Sequence, residues 1–337
     1  MRAGDVLTLT PEGLYCPAGD FHIDPARPTP RAVVTHGHAD HCRPGAAALL
    51  ATPQTARIAR ARYGEGAFGS VQTLDYGESL RIGDATLRLV PAGHVLGSAQ
   101  VVLETARTRA VVSGDYKRRD DPTCAPFEPV ACDLFVTEAT FGLPVFRHPD
   151  AGSEVAKLLA SVARFPERAH AVGVYALGKA QRLIAELRRA GYDRPIHLHG
   201  ALTKLCALYE AEGVALGPLA EARLADRAAM AGAVVLAPPS ALADRWARRL
   251  PDPVIAAASG WMRVRQRARQ RGVELPMIVS DHADWDELTE TIVETGAAEV
   301  WVTHGAEEAL CHWCAGRGVR ARPLGVAGLG EEEAEAE

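Results

Sequence analysis

The densest set of metal-ligand side chains lies near the N-terminus, in His36-Gly37-His38-Ala39-Asp40-His41. An apolar run over residues 32–34 precedes it and predicts a buried strand, and a loop at a strand end can turn several side chains toward one point. Imidazole and carboxylate together suit zinc, manganese or iron. Three histidines and one aspartate are more than one open catalytic site needs if ligands also come from elsewhere, so the spacing indicates two metal ions rather than an ordinary polar loop.

Further residues suited to metal or proton chemistry follow other apolar runs. They are His94 after residues 89–93, Asp115 after 111–114, Glu138 after 135–137, His282 after 278–281 and His304 after 301–303. A rigid scaffold commonly presents functional side chains where its strands end. Because so many independent coincidences are not expected, we interpret these residues and the first cluster as one site.

The predicted secondary structure around these residues changes in character along the chain. Short apolar runs over residues 87–90, 101–103, 110–112 and 134–136 predict strands, and residues 46–62 have helical spacing. After Pro144 helix and strand patterns alternate, with strands predicted over 171–176, 196–199, 234–237, 254–258, 277–279 and 300–303. That alternation is typical of a parallel α/β layer, so we predict an α/β fold class.

Composition limits the classes of protein and partner. The 337 residues are 47% hydrophobic and 23% charged, and the net charge of −5 provides no general basic field for nucleic acid. A polyanion would therefore have to be held by local patches and by metal charge. The seven scattered cysteines, with no secretory signal and no apolar stretch of membrane-spanning length, predict reduced thiols in a cytoplasmic protein. Residues 326–337 are expected to form an acidic, disordered tail.

The motifs resemble a known family. The 36–41 motif, His94 and Asp115 are similar to the successive metal motifs of the metallo-β-lactamase fold. Residues 138–142, 280–282 and 303–305 resemble three further motifs of its β-CASP branch, which processes nucleic acids. Residues 14–21 and 121–127 are most similar to bacterial ligase-associated DNA exonucleases, and the resemblance covers about residues 6–325. His304 departs from some DNA-processing relatives and matches the RNA-processing members, which leaves the choice between DNA and RNA open.

The resemblance implies an αββα metallo-β-lactamase sandwich with an inserted β-CASP α/β cap domain. Residues 1–143 and 277–325 would form the metallo-β-lactamase domain, and residues 144–276 the β-CASP domain. The change of pattern at Pro144 and the return of metal-type residues at His282 favour the same division.

The resemblance also implies roles for individual residues. His36, His38 and His94 would hold one divalent ion, and Asp40, His41 and His304 a second, with Asp115 bridging them; zinc is preferred and manganese is an alternative. His282 would act as general acid, Glu138 would orient it, and Asp40 is counted as catalytic as well.

Substrate contacts are predicted from local patterns. Gly178 and Lys179 begin a helix whose N-terminus could bind an anion, although an ordinary α/β turn explains them too. Lys117 follows the metal motif, and Ser259 with Trp261 could contact substrate, the indole by stacking on a base.

The leading functional hypothesis is a metal-dependent DNA exonuclease acting in DNA repair. It would be cytoplasmic and nucleoid-associated, linked to a DNA ligase and a helicase, with no membrane partner. A β-CASP exo- or endonuclease that processes RNA is the first alternative. Two others are a thioester or lactam hydrolase on the same metal scaffold and a non-catalytic nucleic-acid-binding module.

Overall fold

The structure is a computed structural model that describes residues 6–222 and 224–325, with the backbone alone for residues 224–226. The predicted acidic tail lies outside these residues. The chain forms two compact units, of which the first comprises residues 6–147 and 282–325 and the second residues 148–281. No helix of the described chain combines the length and the apolar character that crossing a bilayer requires.

The first unit contains two sheets and three helices. Its first sheet has the order β1-β2-β3-β4-β5-β6, and its second has the order β19-β18-β11-β10-β9-β8-β7. The strands are β1 (Thr8–Thr10), β2 (Gly13–Cys16), β3 (Phe21–Ile23), β4 (Arg31–Val33), β5 (Ala48–Ala51), β6 (Ser70–Thr73), β7 (Ser79–Ile82), β8 (Ala85–Pro91), β9 (Ala99–Glu104), β10 (Arg109–Val112), β11 (Leu134–Ala139), β18 (Glu299–Gly305) and β19 (Arg320–Pro323). The helices are α1 (Pro53–Tyr63), α7 (Trp285–Thr295) and α8 (Glu307–Ala315), with a 3₁₀ turn at Glu65–Ala67.

Hydrophobic clusters define the layers of the first unit. One cluster joins the two sheets, with Ile23 and Leu50 from the first and Leu87 and Val101 from the second. Another packs the opposite face of the second sheet against α7 and α8, and a third packs the outer face of the first sheet against α1. The order of layers is therefore helix, sheet, sheet, helix. Each fully buried aliphatic side chain contributes about 1.5–3 kcal/mol of hydrophobic stabilisation, so these layers hold the strand ends firmly.

The second unit is built on one parallel sheet, in the order β14-β13-β15-β12-β16-β17. Its strands are β12 (His170–Gly173), β13 (Ile196–Leu198), β14 (Leu219–Glu221), β15 (Val234–Ala237), β16 (Val254–Ala258) and β17 (Leu275–Met277). Its helices are α2 (Ala151–Arg164), α3 (Lys179–Arg189), α4 (Gly200–Ala211), α5 (Pro239–Ala243) and α6 (Arg265–Gln270), with 3₁₀ segments at Leu224–Met230, Ala247–Arg249 and Gly260–Arg263. All four residues of β15 are buried. This explains why the sequence of the strand is apolar throughout and does not alternate between apolar and polar residues.

Two expectations about elements were wrong. Residues 46–62 do not form one helix: β5 occupies Ala48–Ala51 because it pairs on both sides with β4 and β6, and α1 starts only at Pro53, with the Thr52 side chain as its N-cap. The strand predicted over residues 277–279 is β17 (Leu275–Met277), which pairs with β16 in the second unit. The two compact units are divided in the sequence at 147/148 and 281/282, and the predicted domain boundaries at 143/144 and 276/277 stay predictions. The names given to the two domains stay predictions.

Candidate metal centre

The first group of candidate ligands gathers residues that are far apart in the sequence. Side-chain donor atoms of His36, His38, His94 and Asp115 all lie within 4.8 Å of one another. His38 Nδ1 lies 3.0 Å from His36 Nε2 and 3.0 Å from His94 Nε2. These residues follow β4 of the first sheet and β8 and β10 of the second, so strand ends from both sheets bring them together.

Asp24 and Thr35 fix which nitrogen of His36 faces this group. The Thr35 hydroxyl donates to Asp24 Oδ2 at 2.6 Å, so its oxygen can accept the Nδ1–H of His36 at 3.1 Å. The lone pair of His36 Nε2 is then left toward His38, the orientation that a metal ligand needs. Asp24 Oδ2 also lies 2.8 Å from His41 Nδ1, which by the same argument leaves His41 Nε2 as the ligand atom.

The second group contains Asp40, His41 and His304, whose donor atoms also lie within 4.8 Å of one another. His304 owes its position to a β-bulge: Glu138 pairs with Thr303 and Ala139 with Gly305, so His304 is the extra residue. Its φ of 60° is left-handed, which is strained for a histidine and common near functional sites.

Asp115 joins the two groups. Its Oδ2 lies 3.5 Å from His36 Nε2, 3.3 Å from His41 Nε2 and 3.7 Å from His94 Nε2. Its Oδ1 lies 3.9 Å from His304 Nδ1. One carboxylate therefore contacts members of both groups, which is the arrangement expected of a bridging ligand.

Burial and mutual contact shift the pKa values of these side chains. Burial, followed by the neighbouring imidazoles, lowers the pKa of His36 well below its ordinary value. Burial also opposes ionisation of Asp115, but His41 and His282 outweigh it and hold the Asp115 pKa well below its ordinary value. Burial similarly disfavours charge on His41, yet Asp115 and Asp40 raise its pKa well above the usual range. A divalent cation at His41 would displace that proton, because imidazole binds metals in its neutral form.

Orphaned nitrogens test whether these residues fit metal ions. His41 Nε2 and both ring nitrogens of His304 are buried and have no hydrogen-bond partner in the described part of the chain. Such atoms are costly unless something satisfies them. Histidine ligands lie about 2.0–2.1 Å from a tetrahedral zinc ion and hence roughly 3.3 Å from one another, close to the separations around His38. The donor set fits divalent metal ions.

A second pair of residues stands beside this centre. His282 Nδ1 lies 3.0 Å from Glu138 Oε2, while Glu138 Oε1 accepts the backbone N–H of Tyr116 at 2.7 Å. Burial raises the pKa of Glu138, against the opposing effect of His282. Asp115, Glu138 and His282 also have donor atoms within 4.8 Å of one another and form a third candidate group. Both carboxylate oxygens of Glu138 already have partners within the protein, so we interpret the pair as arranged for proton transfer more than for metal binding. His282 does not follow a strand: it lies in a bend between β17 and α7.

The two lysines predicted to contact substrate are buried in the structure. Lys117 is buried and its Nζ donates to Asp121 Oδ2 at 2.5 Å. Lys179 is also buried, with its Nζ 3.1 Å from Val279 O and 3.3 Å from Asp281 Oδ2. Both ammonium groups therefore lie in the interior on protein partners, and their contacts with substrate phosphate stay predictions.

Three backbone N–H groups at the start of α3 have acceptors within the protein. The Gly178 N–H donates to Gln181 Oε1 at 2.8 Å, and the next two N–H groups donate to backbone oxygens of Leu177 and Tyr175. These three donors already have acceptors within the protein, and the substrate contact at Gly178 stays a prediction.

The remaining predicted contacts, Ser259 and Trp261, stay predictions. Ser259 Oγ accepts the Trp261 N–H at 3.3 Å, and the Arg267 guanidinium lies 4.1 Å from the centre of the indole ring.

Asp24 was missed as a functional residue. It stands at the end of β3 with a φ of 44°, and its carboxylate also accepts the Thr35 N–H at 2.8 Å. The signal was present, since an aspartate follows a short apolar strand as Asp115 does, but that strand has only three residues.

No family model matches the chain, but the chain is similar to known proteins, among them two relatives in sequence and one solved structure. A protein of Opitutus terrae described as "Probable DNA ligase" is 30% identical over 321 residues, which are 93% of this chain and 30% of that protein. A protein of Aspergillus fumigatus described as "Endoribonuclease ysh1" is 31% identical over 144 residues, 41% of this chain and 16% of that protein. The chain thus spans less than a third of these relatives' lengths. A crystal structure of a protein of unknown function from Enterococcus faecalis V583 is similar in fold, with a TM-score of 0.55 and 13% identity over 81% of this chain and 74% of that one.

Proposed function

We propose that this chain is a metal-dependent phosphodiesterase of the metallo-β-lactamase fold, of the β-CASP branch, that degrades DNA from an end. The observation that carries the proposal is the convergence of two ligand groups on Asp115, with the His282–Glu138 pair beside them. Paired metal sites with an adjacent acid–base group suit hydrolysis of phosphodiesters. The layer order of the first unit, together with a second unit inserted between 147 and 282, supports the family.

The residues would divide the work as follows. His36, His38 and His94 would hold one divalent ion and Asp40, His41 and His304 another, with Asp115 between them; zinc is preferred and manganese is the alternative. When bound, such ions supply Lewis-acid stabilisation of charge on phosphodiester oxygens. They would also offset the net charge of −5 locally, which helps an acidic chain attract a polyanion.

His282 would donate the proton that the leaving oxygen takes up. Glu138 accepts a hydrogen bond at His282 Nδ1, which fixes the ring and leaves Nε2 as the nitrogen that exchanges a proton with substrate. Glu138 is itself held by the Tyr116 N–H, so the pair is oriented before substrate binds.

Two comparisons bear on the nucleic acid. The likeness of almost the whole chain to part of a protein described as a DNA ligase supports DNA as substrate and a functional association with a ligase. The likeness to a protein described as an endoribonuclease, together with His304, favours the second candidate, an RNA-processing nuclease. The helicase association and the cytoplasmic, nucleoid-associated location stay predictions from the resemblance.

The test is digestion of end-labelled single- and double-stranded DNA, beside RNA of the same sequence, with zinc or manganese. We expect stepwise shortening of DNA. Asp115→Ala should lose on the order of 10³-fold in rate, because several kcal/mol of transition-state stabilisation depend on the ions it helps to hold. Intact DNA and RNA under every condition would refute the proposal, and cleavage of RNA alone would favour the second candidate.

The hydrolase and binding-module hypotheses predict results different from those expected of a nuclease. A thioester or lactam hydrolase would not need His282, so His282→Ala would leave its activity nearly unchanged. A binding module would retain DNA while holding less than about one metal ion per chain, against the two expected from the ligand set.

A further inference from the structure

The loop that follows Asp115 holds both members of the His282–Glu138 pair. The Tyr116 N–H donates to Glu138 Oε1 at 2.7 Å, and the Tyr116 carbonyl accepts the N–H of Ala283 at 2.6 Å. A single residue therefore fixes the carboxylate of one partner and the backbone next to the other. His282 needs such support, because it lies in a bend before α7 rather than in a strand.

Arg119, further along the same loop, adds a side-chain contact to Asp284, two residues after His282. Its Nη2 donates to Asp284 Oδ2 at 2.5 Å, and its Nε lies 3.4 Å from Glu287 Oε1. Asp284 is only 1% exposed, which strengthens a charged hydrogen bond.

Asp284 uses its two oxygens for different purposes. Oδ1 accepts the N–H groups of Asp286 and Glu287, both at 3.1 Å, and so caps α7. Oδ2 accepts from Arg119. Loss of the Arg119 guanidinium would therefore leave the helix cap in place while removing one contact that ties the bend to the loop.

We propose that Arg119 is a positioning residue for His282. Through Asp284 it fixes the bend that carries His282, and it thereby sets the distance and angle between His282 and Glu138. The consequence for proton donation to a leaving oxygen rests on the proposed function, whereas the effect on the orientation of His282 does not.

Arg118 offers a matched control. It belongs to the same loop and contacts the same helix, but at the far end: its Nη1 donates to Glu294 Oε2 at 2.6 Å and to Thr291 Oγ1 at 3.2 Å. Arg118→Gln and Arg119→Gln each remove one positive charge and the contacts of one guanidinium with α7 or its N-cap, so a general loss of stability would affect both variants alike.

The first measurement is histidine NMR on the full chain labelled with ¹³C and ¹⁵N histidine. The His282 signal is assigned by its absence in His282→Gln. We expect the ring signal of His282 to move or broaden in Arg119→Gln and to stay in place in Arg118→Gln. An unmoved signal in Arg119→Gln, or an equal change in both variants, would overturn the proposal. This readout does not require activity.

The second measurement compares DNA with bis(4-nitrophenyl) phosphate, whose leaving group departs without a proton. We expect Arg119→Gln to lower kcat on DNA about 10- to 100-fold, part of what a general acid supplies, and to change kcat on the small diester less than about threefold. For Arg118→Gln, kcat on both substrates should stay within about threefold of the wild-type value. Combined with His282→Ala, Arg119→Gln should add no further loss, because the two residues act through one group.

The outcomes separate the two proposals. Equal losses on both substrates, or losses that multiply with those of His282→Ala, refute the positioning role while the nuclease assignment stands. If the wild-type protein cleaves neither substrate, the proposed function fails and the NMR measurement alone decides the role of Arg119.

Discussion

At the scale of single residues, Asp24 determines how two histidines face the candidate metal centre. Its Oδ2 contacts both Thr35 Oγ1, at 2.6 Å, and His41 Nδ1, at 2.8 Å, and Thr35 passes the constraint on to His36. One carboxylate therefore selects the tautomer of a histidine in each ligand group. Such partners commonly change metal affinity as much as a weak ligand would.

Asp24→Asn should weaken metal binding without unfolding the chain. We expect a loss of about 10- to 100-fold in affinity, because an amide accepts fewer of these hydrogen bonds and no longer favours the ligand tautomers. Titration with zinc against a competing chelator measures it. Asp20→Asn is the control, since Asp20 also has a left-handed backbone, with a φ of 53°, but bonds to Tyr15 at the surface. Equal losses in the two variants would contradict the role assigned to Asp24.

Substitution of Glu138 should affect proton transfer without affecting metal binding. Glu138→Gln should lower kcat on DNA by roughly 10²- to 10⁴-fold, because an amide cannot hold His282 in the required tautomer. The metal content should stay at the wild-type value, since both Glu138 oxygens contact protein groups. Elemental analysis beside the kinetics tests this, and a fall in bound metal would instead make Glu138 a ligand.

At the scale of elements, strand ends explain most of what the sequence could predict. His36, His94 and Asp115 follow β4, β8 and β10, and the switch from apolar to polar residues is visible in the sequence. His282 also follows an apolar run in the sequence. The nearest strand before it, β17, pairs with β16 in the second unit, so the spacing of residues alone could not show that His282 lies beside Glu138.

Other features of the fold and the site depend on contacts between distant residues, which the local sequence pattern does not reveal. Residues 48–51 have helical character but form β5, since strands on both sides pair with it. The role of Asp24 depends on a partner 17 residues away, His41, and no spacing rule connects an aspartate to a histidine at that distance. Lys117 and Lys179 suited phosphate by type, but their burial was visible only in the fold.

The bulge between β11 and β18 requires a glycine at position 305, which predicts the effect of substitutions there. Gly305 has a φ of 73°, and a Cβ there would lie 2.2 Å from the Ala139 carbonyl oxygen. Gly318 has the same φ of 73° and nothing within 4 Å of the corresponding position. Gly318→Ala should therefore cost only the left-handed strain of about 1–2 kcal/mol. Gly305→Ala should cost on the order of 3–5 kcal/mol, because the backbone must shift as well.

Calorimetry of the two glycine variants, with zinc titration, is the measurement. Gly305→Ala should show the larger fall in Tm and weaker metal binding, since His304 precedes it. If both variants fall equally in Tm, the close approach to Ala139 does not constrain the bulge.

At the scale of the whole molecule, the candidate ligands all belong to one of the two units. The first unit contains both ligand groups, Asp115 and the His282–Glu138 pair, although His282 and His304 return to it after the second unit has been completed. Metal ions at this centre would therefore join sequence segments that the insertion separates, and their binding energy would stabilise the first unit.

Chelation should consequently destabilise the two units unequally. A ligand present at 100 times its Kd stabilises the folded form by about 2.7 kcal/mol, so removing it should speed hydrogen exchange where the ligands lie. With EDTA, we expect faster exchange in peptides covering residues 32–42, 91–117 and 299–305, and unchanged exchange in β12 and β15 of the second unit. Mass spectrometry of the exchanged peptides measures this, and Asp115→Ala, which should already lack tightly held ions, is the control that EDTA leaves unaltered. Uniform acceleration across both units, or an equal EDTA effect in the control, would contradict a metal centre confined to the first unit.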